Sequence, residues 1–105
     1  MSKTLNVAVC QINPTLGNFQ KNIDIISKNY KYAVDNGADL VVFPEMSITG
    51  YPPQDLLNNK EFIFQNISCL NELVKSITIP CILGYVDFDD NKKFNAAAVC
   101  QDGEI

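Results

Sequence analysis

Apolar residues alternate with small or polar ones from Leu5 to Ile12. Leu5, Val7 and Val9 take one parity, and Asn6, Ala8 and Cys10 take the other. A period of two predicts a strand, and the small size of the second set allows both faces to be covered. Asn13-Pro14 and Gly17-Asn18 then mark a loop. From about Phe19 to Asn36 the period lengthens. Phe19, Ile23, Ile26, Tyr30 and Ala33 or Val34 share one helical face, with Lys21, Lys28, Lys31 and Asp35 mostly on the other. Asn18 is placed to cap this helix and Gly37 to end it. Leu40-Val41-Val42-Phe43 is an uninterrupted apolar run, as in a strand buried on both faces. Pro44, which has no N–H to donate, stops it. Strand, helix and strand at this spacing predict a βαβ unit with parallel strands.

The stretch from Glu45 to Gln54 reads as irregular, because Gly50-Tyr51-Pro52-Pro53 suits neither a helix nor a central strand. A second helix is predicted from about Asn59 to Ser76. Ile63, Ile67, Leu70 and Val74 form its stripe, widened by Phe62, Cys69 and Leu73. Pro80 to Val86 reads as a third strand, Asp89-Asp90-Asn91-Lys92-Lys93 as a charged turn, and Ala96 to Cys100 as a fourth strand. Asp102-Gly103 is a second tight turn, and Glu104-Ile105 reads as the first step of a fifth strand. The fold class is therefore α/β in the order β-α-β-α-β-β, within a single domain, without repeats or linkers.

Composition narrows the chemistry. A chain of 105 residues supports one domain at most, with a modest core. With 47% hydrophobic and 19% charged residues it is globular rather than disordered. There is no His, and all eight basic residues are Lys. Imidazole acid–base chemistry, His-ligated zinc and bidentate Arg clamps are excluded, so any catalysis rests on Glu, Asp, Lys, Cys or Tyr. The net charge of -4 speaks against nucleic acid as a partner. No apolar run reaches the roughly 18 residues of a membrane helix, and the first residues lack the apolar core of a signal peptide. A cytoplasmic protein with no membrane partner is expected. Cys10, Cys69, Cys81 and Cys100 show no CxxC spacing, so reduced, buried, structural thiols are expected rather than metal ligands. The 12 Asn and 11 Ile read as the base composition of the gene.

Glu45 is the most informative position. In open α/β sheets ligands bind just beyond the carboxyl ends of strands, and Glu45 follows a buried strand directly. Set against an apolar wall, its carboxyl would be raised toward neutrality, as a general base requires. The alternative is a Glu that caps a helix or bonds nearby backbone. The Gly50–Leu57 loop offers a phenol at Tyr51 and, at Asp55, either a carboxylate or a helix cap. Lys92 and Lys93 read as a solvated hairpin tip rather than catalytic amines. Asp87, Asp89 and Asp90 lack the spacing of a calcium loop.

Four segments carry a resemblance. Val7-Ala8-Val9-Cys10-Gln11-Ile12-Asn13-Pro14 with Gly17-Asn18, and Gly37-Ala38-Asp39-Leu40-Val41-Val42-Phe43-Pro44-Glu45, resemble the opening of the nitrilase (carbon–nitrogen hydrolase) superfamily. Gly50-Tyr51-Pro52-Pro53-Gln54-Asp55-Leu56-Leu57 resembles the loop of glutamine-dependent NAD(+) synthetases, in their N-terminal glutaminase domain. Phe94-Asn95-Ala96-Ala97-Ala98-Val99 followed by Gly103 is similar to the family's next motif-bearing strand. The resemblance implies the N-terminal part of an αββα sandwich and amide hydrolysis by a Glu-Lys-Cys triad. In it Glu45 matches the general base, and Tyr51 lies in the loop bordering the glutamine pocket. No Lys or Cys here matches the other triad members, so residues 1–105 correspond to a partial hydrolase domain, inactive alone. The resemblance implies no cofactor in this chain. ATP and Mg belong to a synthetase domain that uses the released ammonia. Family members assemble as homo-oligomers. The alternatives are another nitrilase-type amidase, or a non-catalytic module complemented by a second chain.

Overall fold

The computed structural model describes residues 4–51, 54–89 and 92–105. Among them the elements run β1 (Val7–Val9), α1 (Phe19–Asp35), β2 (Leu40–Val42), α2 (Gln54–Leu57), α3 (Lys60–Val74), β3 (Cys81–Asp89) and β4 (Lys92–Cys100). The expected order holds. The short α2 is an addition, starting at the last residue of the stretch read as irregular and running on to Leu57. The sheet order is β1-β2-β3-β4, with the first three strands parallel and β4 antiparallel to β3.

Local chemistry explains the ends of the helices. The Asn18 side chain accepts from the Lys21 amide at 3.2 Å, and Asn59 accepts from the Phe62 amide at 3.1 Å, so each caps a helix N-terminus. Gly37 follows α1 at φ +85°, a conformation that favours glycine. The strand order advances in one direction through crossovers of one hand, which brings both long helices to the same face. There α1 and α3 pack together, with the rings of Phe19 and Phe62 5.2 Å apart. The Tyr30 hydroxyl accepts from the amides of Thr78 at 2.9 Å and Ile79 at 3.0 Å, tying α1 to the chain entering β3.

The two faces of the sheet differ. Ala8, Val41, Cys81 and Cys100 are register partners in one row, and the last three are fully buried under the helices. The next row, Val9, Val42, Ile82 and Val99, points the other way. Its outer members are open to solvent, Val9 at 69% and Val99 at 61%. One face is a finished core, while the other carries a bare apolar stripe. All four cysteines are free. Cys81 and Cys100 are buried, and Cys10 and Cys69 are half-buried.

Strand lengths depart from expectation for a physical reason. β1 is shorter than Leu5–Ile12 because β2 offers so few partners. Beyond the ladder, backbone pairing reaches only one residue at each end, with the Asp39 and Leu40 amides on Asn6 O and the Cys10 amide on Val42 O. β3 and β4 are longer than Pro80–Val86 and Ala96–Cys100. Phe88 pairs with Lys93 and Asp89 with Lys92, so these charged residues belong to the ladder, with opposite charges facing. Asp90 and Asn91 of the expected turn, and Pro52-Pro53 of the stretch read as irregular, lie outside the described residues. Asp102 and Gly103 both have positive φ, as in a type I′ turn. Gln101 and Glu104 exchange backbone hydrogen bonds across it, in keeping with the first step of a fifth strand.

Asn66 lies on the buried side of α3 and is wholly inaccessible. Its Nδ2 donates to Val86 O at 2.5 Å and its Oδ1 accepts from Val86 N at 3.1 Å, as a neighbouring strand would. β2 has ended by this point, so no strand is there to do so. Asn66 and the equally buried Asn22 are thus hydrogen-bonding groups of the core, which the compositional reading of asparagine overlooked. Asn66→Leu leaves both backbone groups of Val86 unpaired and is expected to cost roughly 2–4 kcal/mol. Urea denaturation measures this, and a loss within experimental error would reject the role given to Asn66.

Candidate active site

Pro44 ends β2, and the chain turns at once. Met46 adopts φ +49°, a left-handed conformation uncommon for a residue with a side chain. The Gly50 amide then bonds back to Met46 O at 2.8 Å, and the Ser47 hydroxyl donates to Pro44 O. Gly50 itself sits at φ +72°, and a Cβ there would lie 2.9 Å from Leu16 Cα. Ser47, Ile48 and Thr49 are fully buried, so the middle of the turn points into the protein while its two ends face out.

Those two ends carry the candidate residues. The Tyr51 hydroxyl donates to Glu45 Oε2 at 3.0 Å. Both side chains are exposed, Tyr51 at 68%. The expected apolar wall around Glu45 is therefore not supplied by the described residues. Tyr51 is held protonated above the ordinary tyrosine range. Its hydrogen bond to Glu45 is the main cause, followed by the carboxylate's charge and a little desolvation.

Gly84 provides the seat. It lies on β3 opposite Ala97, in the parity of the bare stripe. A Cβ added to it would fall 2.4 Å from Pro44 O and 2.5 Å from Met46 N. The backbone on either side of Glu45 thus rests directly on the strand. Beside it a cleft of about 210 Å³ is lined by Phe43, Pro44, Glu45, Gly84 and Asn95 to Ala97. The sequence held a signal for this, since a glycine inside a strand marks close backbone approach.

Behind the turn lies Asn22, which the periodicity of α1 did not single out. Its Nδ2 donates to Thr15 O at 2.8 Å and Ile48 O at 2.9 Å, and its Oδ1 accepts from Thr15 N at 2.7 Å. The Gly17 amide adds a bond to Thr49 O at 3.0 Å. Asp55 lies in the first turn of α2, exposed, and no contact of it with Glu45 is seen. Lys92 and Lys93 lie on β4.

The cysteines carry no sign of activation. Burial raises the thiols of Cys10, Cys69, Cys81 and Cys100, that of Cys81 to about 12. A nucleophilic thiol needs the opposite shift. The arrangement therefore offers a carboxylate with one oxygen occupied by a phenol, at the carboxyl end of a central strand, opening onto the uncovered face of the sheet.

Comparison with known proteins is consistent across sequence and structure. A profile of the family described as carbon-nitrogen hydrolase matches residues 6–105. The glutamine-dependent NAD(+) synthetase of Thermotoga maritima is 39% identical over 106 residues, covering 98% of this chain and 18% of that protein. The crystal structure of a glutamine-dependent NAD(+) synthetase from Cytophaga hutchinsonii superposes with a TM-score of 0.92 at 22% identity, covering 97% of this chain and 18% of the other. An amidase from Nesterenkonia sp. shares the fold with a TM-score of 0.80 at 21% identity, over 95% of this chain and 40% of its own. The chain thus spans about a fifth of the length of the synthetases.

Gly84→Ala is expected to lift the Pro44–Met46 backbone from β3 and to destabilise the chain by roughly 1–3 kcal/mol. A denaturation midpoint equal to the parent's would contradict the close approach. The Tyr51 titration is a second check. Because the folded value is raised, the folded chain holds this proton longer than the unfolded one. The associated stability is complete below the ordinary tyrosine range and is lost as pH climbs through the folded value. Glu45→Gln is expected to lower the Tyr51 midpoint, read by NMR of ring-labelled tyrosine. No change would mean that the two side chains do not meet in solution.

Proposed function

The chain belongs to the carbon-nitrogen hydrolase family, and from that premise we propose that residues 1–105 form the first part of a glutamine-hydrolysing domain of the NAD(+) synthetase type. In this reading Glu45 is the general base and Tyr51 borders the glutamine. The observation that carries it is the Tyr51–Glu45 hydrogen bond at the carboxyl end of β2, presented toward the bare sheet face.

The chemistry follows from the groups available. Glu45 takes the proton of a cysteine thiol, and the thiolate attacks the side-chain amide carbon of glutamine. Glu45 passes the proton on to the departing nitrogen, ammonia leaves, and water releases glutamate from the acyl-enzyme, restoring the thiol. The cysteine and the lysine that complete such a triad lie outside residues 1–105. They approach Glu45 over the Val9–Val42–Ile82–Val99 face, which is apolar enough to be covered by a further layer and to exclude water from the reaction. The ammonia feeds an amidation whose ATP and Mg belong to a separate synthetase domain. The exposed stripe also favours a second reading, in which a separate polypeptide supplies the covering layer.

The test is a chimera. Residues 1–105 replace the matching segment of the Thermotoga maritima synthetase, and ammonia release from glutamine is measured. Activity is expected to persist. Glu45→Gln is expected to lower kcat by about 100-fold or more, whereas Tyr51→Phe mainly raises KM. Residues 1–105 alone should release no ammonia beyond their Glu45→Gln version. Full turnover of the Glu45→Gln chimera would overturn the proposed role.

A further inference from the structure

Glu45 and Tyr51 stand at the two ends of one tight turn. Their separation is therefore set by the path of residues 46 to 50, whose apex is Ile48 and Thr49. That apex is buried and is held by three bonds from outside the turn. Asn22 Nδ2 donates to Ile48 O at 2.9 Å, the Gly17 amide donates to Thr49 O at 3.0 Å, and the Ile48 amide makes a longer bond to Gly84 O at 3.4 Å. Gly17 belongs to the 13–17 loop, whose Thr15 is clamped at both its N–H and its C=O by the same Asn22 carboxamide. Every polar atom of that carboxamide is engaged with backbone, and the side chain is wholly buried. It reaches no part of the cleft.

We infer that Asn22 is a positioning residue, whose carboxamide sets the geometry of the Glu45–Tyr51 pair by tying the 13–17 loop to the apex of the 46–50 turn. The inference rests on the reading of Glu45 as the general base. It adds that the orientation of this base is controlled from the first turn of α1, on the far side of the turn from the substrate.

The geometry explains why asparagine is required. The position needs one acceptor for Thr15 N and two donors, for Thr15 O and Ile48 O, from a group in the plane of the backbone. Aspartate keeps the acceptor but cannot donate, and its charge faces two carbonyl oxygens. Alanine provides neither function. In both cases the link from Thr15 to the Ile48 carbonyl is lost, the apex shifts, and Tyr51 no longer lies within hydrogen-bonding distance of Glu45.

The experiment is carried out on the whole chain with ring-labelled tyrosine. Tyr30 serves as the control, because its hydroxyl is held by Thr78 and Ile79 inside the core. In Asn22→Asp and Asn22→Ala the Tyr51 midpoint is expected to fall to that of Glu45→Gln, while the Tyr30 resonance stays in place. A purely structural role lowers the unfolding midpoint without moving Tyr51. A folded Asn22 variant that keeps the parent Tyr51 titration therefore overturns the inference. Should both variants fail to fold, Gly50→Ala separates the same two loops from the opposite side, where its Cβ would lie 2.9 Å from Leu16 Cα. The same shift is expected, and its absence is equally decisive. Failure of the underlying reading is distinguishable. It shows as full turnover of the Glu45→Gln chimera, a result that does not affect the Tyr51 titration.

Discussion

β2 ends at Val42 while its neighbour β3 continues to Asp89, and the bared edge of β3 governs what surrounds it. Beyond Ile82, the carbonyl of Gly84 and both backbone groups of Val86 face a space with no strand. Left unpaired in the interior, such groups cost roughly 1–3 kcal/mol each. The Ile48 amide reaches the Gly84 carbonyl at 3.4 Å, and the Asn66 carboxamide takes both groups of Val86. The turn that carries Glu45 and the middle of α3 are therefore docked by the same unmet demand. Pro44 is the origin of the mismatch, because it cannot donate to a continuing ladder. The residue that stops the strand also sends the chain across Gly84, the one place on β3 where backbone can lie flat on backbone.

The two faces of the sheet then take different parts. The helix-covered face holds Val41, Leu83, Cys81 and Cys100 out of water. Burial there also raises the Cys81 and Cys100 thiols, which makes these cysteines packing groups rather than nucleophiles. The other face presents the valine and isoleucine stripe together with the Glu45 cleft. A carboxylate that is exposed beside apolar side chains is poorly placed to act alone. The same carboxylate under a covering layer would be desolvated on the side where a thiol can approach. The proposed function draws on that asymmetry.

Much of the architecture was legible in the sequence. The change from period two to about 3.6 located β1 and α1. The run Leu40–Phe43 located β2, and Pro44-Glu45 placed the candidate base where open α/β sheets bind ligands. What escaped depended on distant partners. Asn22 and Asn66 each sit among apolar helical positions, where an amide reads as an interruption of the stripe. Only Thr15 with Ile48, and Val86, explain them. The hairpin outgrew its expected length because Asp89 and Lys92 look like turn residues singly and like a cross-strand pair only once the register is known. The exposure of Glu45 was missed because Leu40–Phe43 reads as a strand covered on both faces, and the described residues cover only one of them.

The pairing of Tyr51 with Glu45 adds a point about preorganisation. A carboxylate has two equivalent oxygens and rotates freely about its last bond, so a bare general base samples many directions of approach. The phenol occupies Oε2 and leaves the second oxygen as the open acceptor. Because both partners belong to one turn, this selection is set by the path of that turn and, in the proposed role, is in place before substrate or nucleophile arrives. Fixing the direction of a proton acceptor in advance removes an ordering cost from the reaction itself. The strained backbone of Met46 and the missing side chain of Gly84 then have a common purpose, which is to hold a short loop in the one path that returns its end to its beginning.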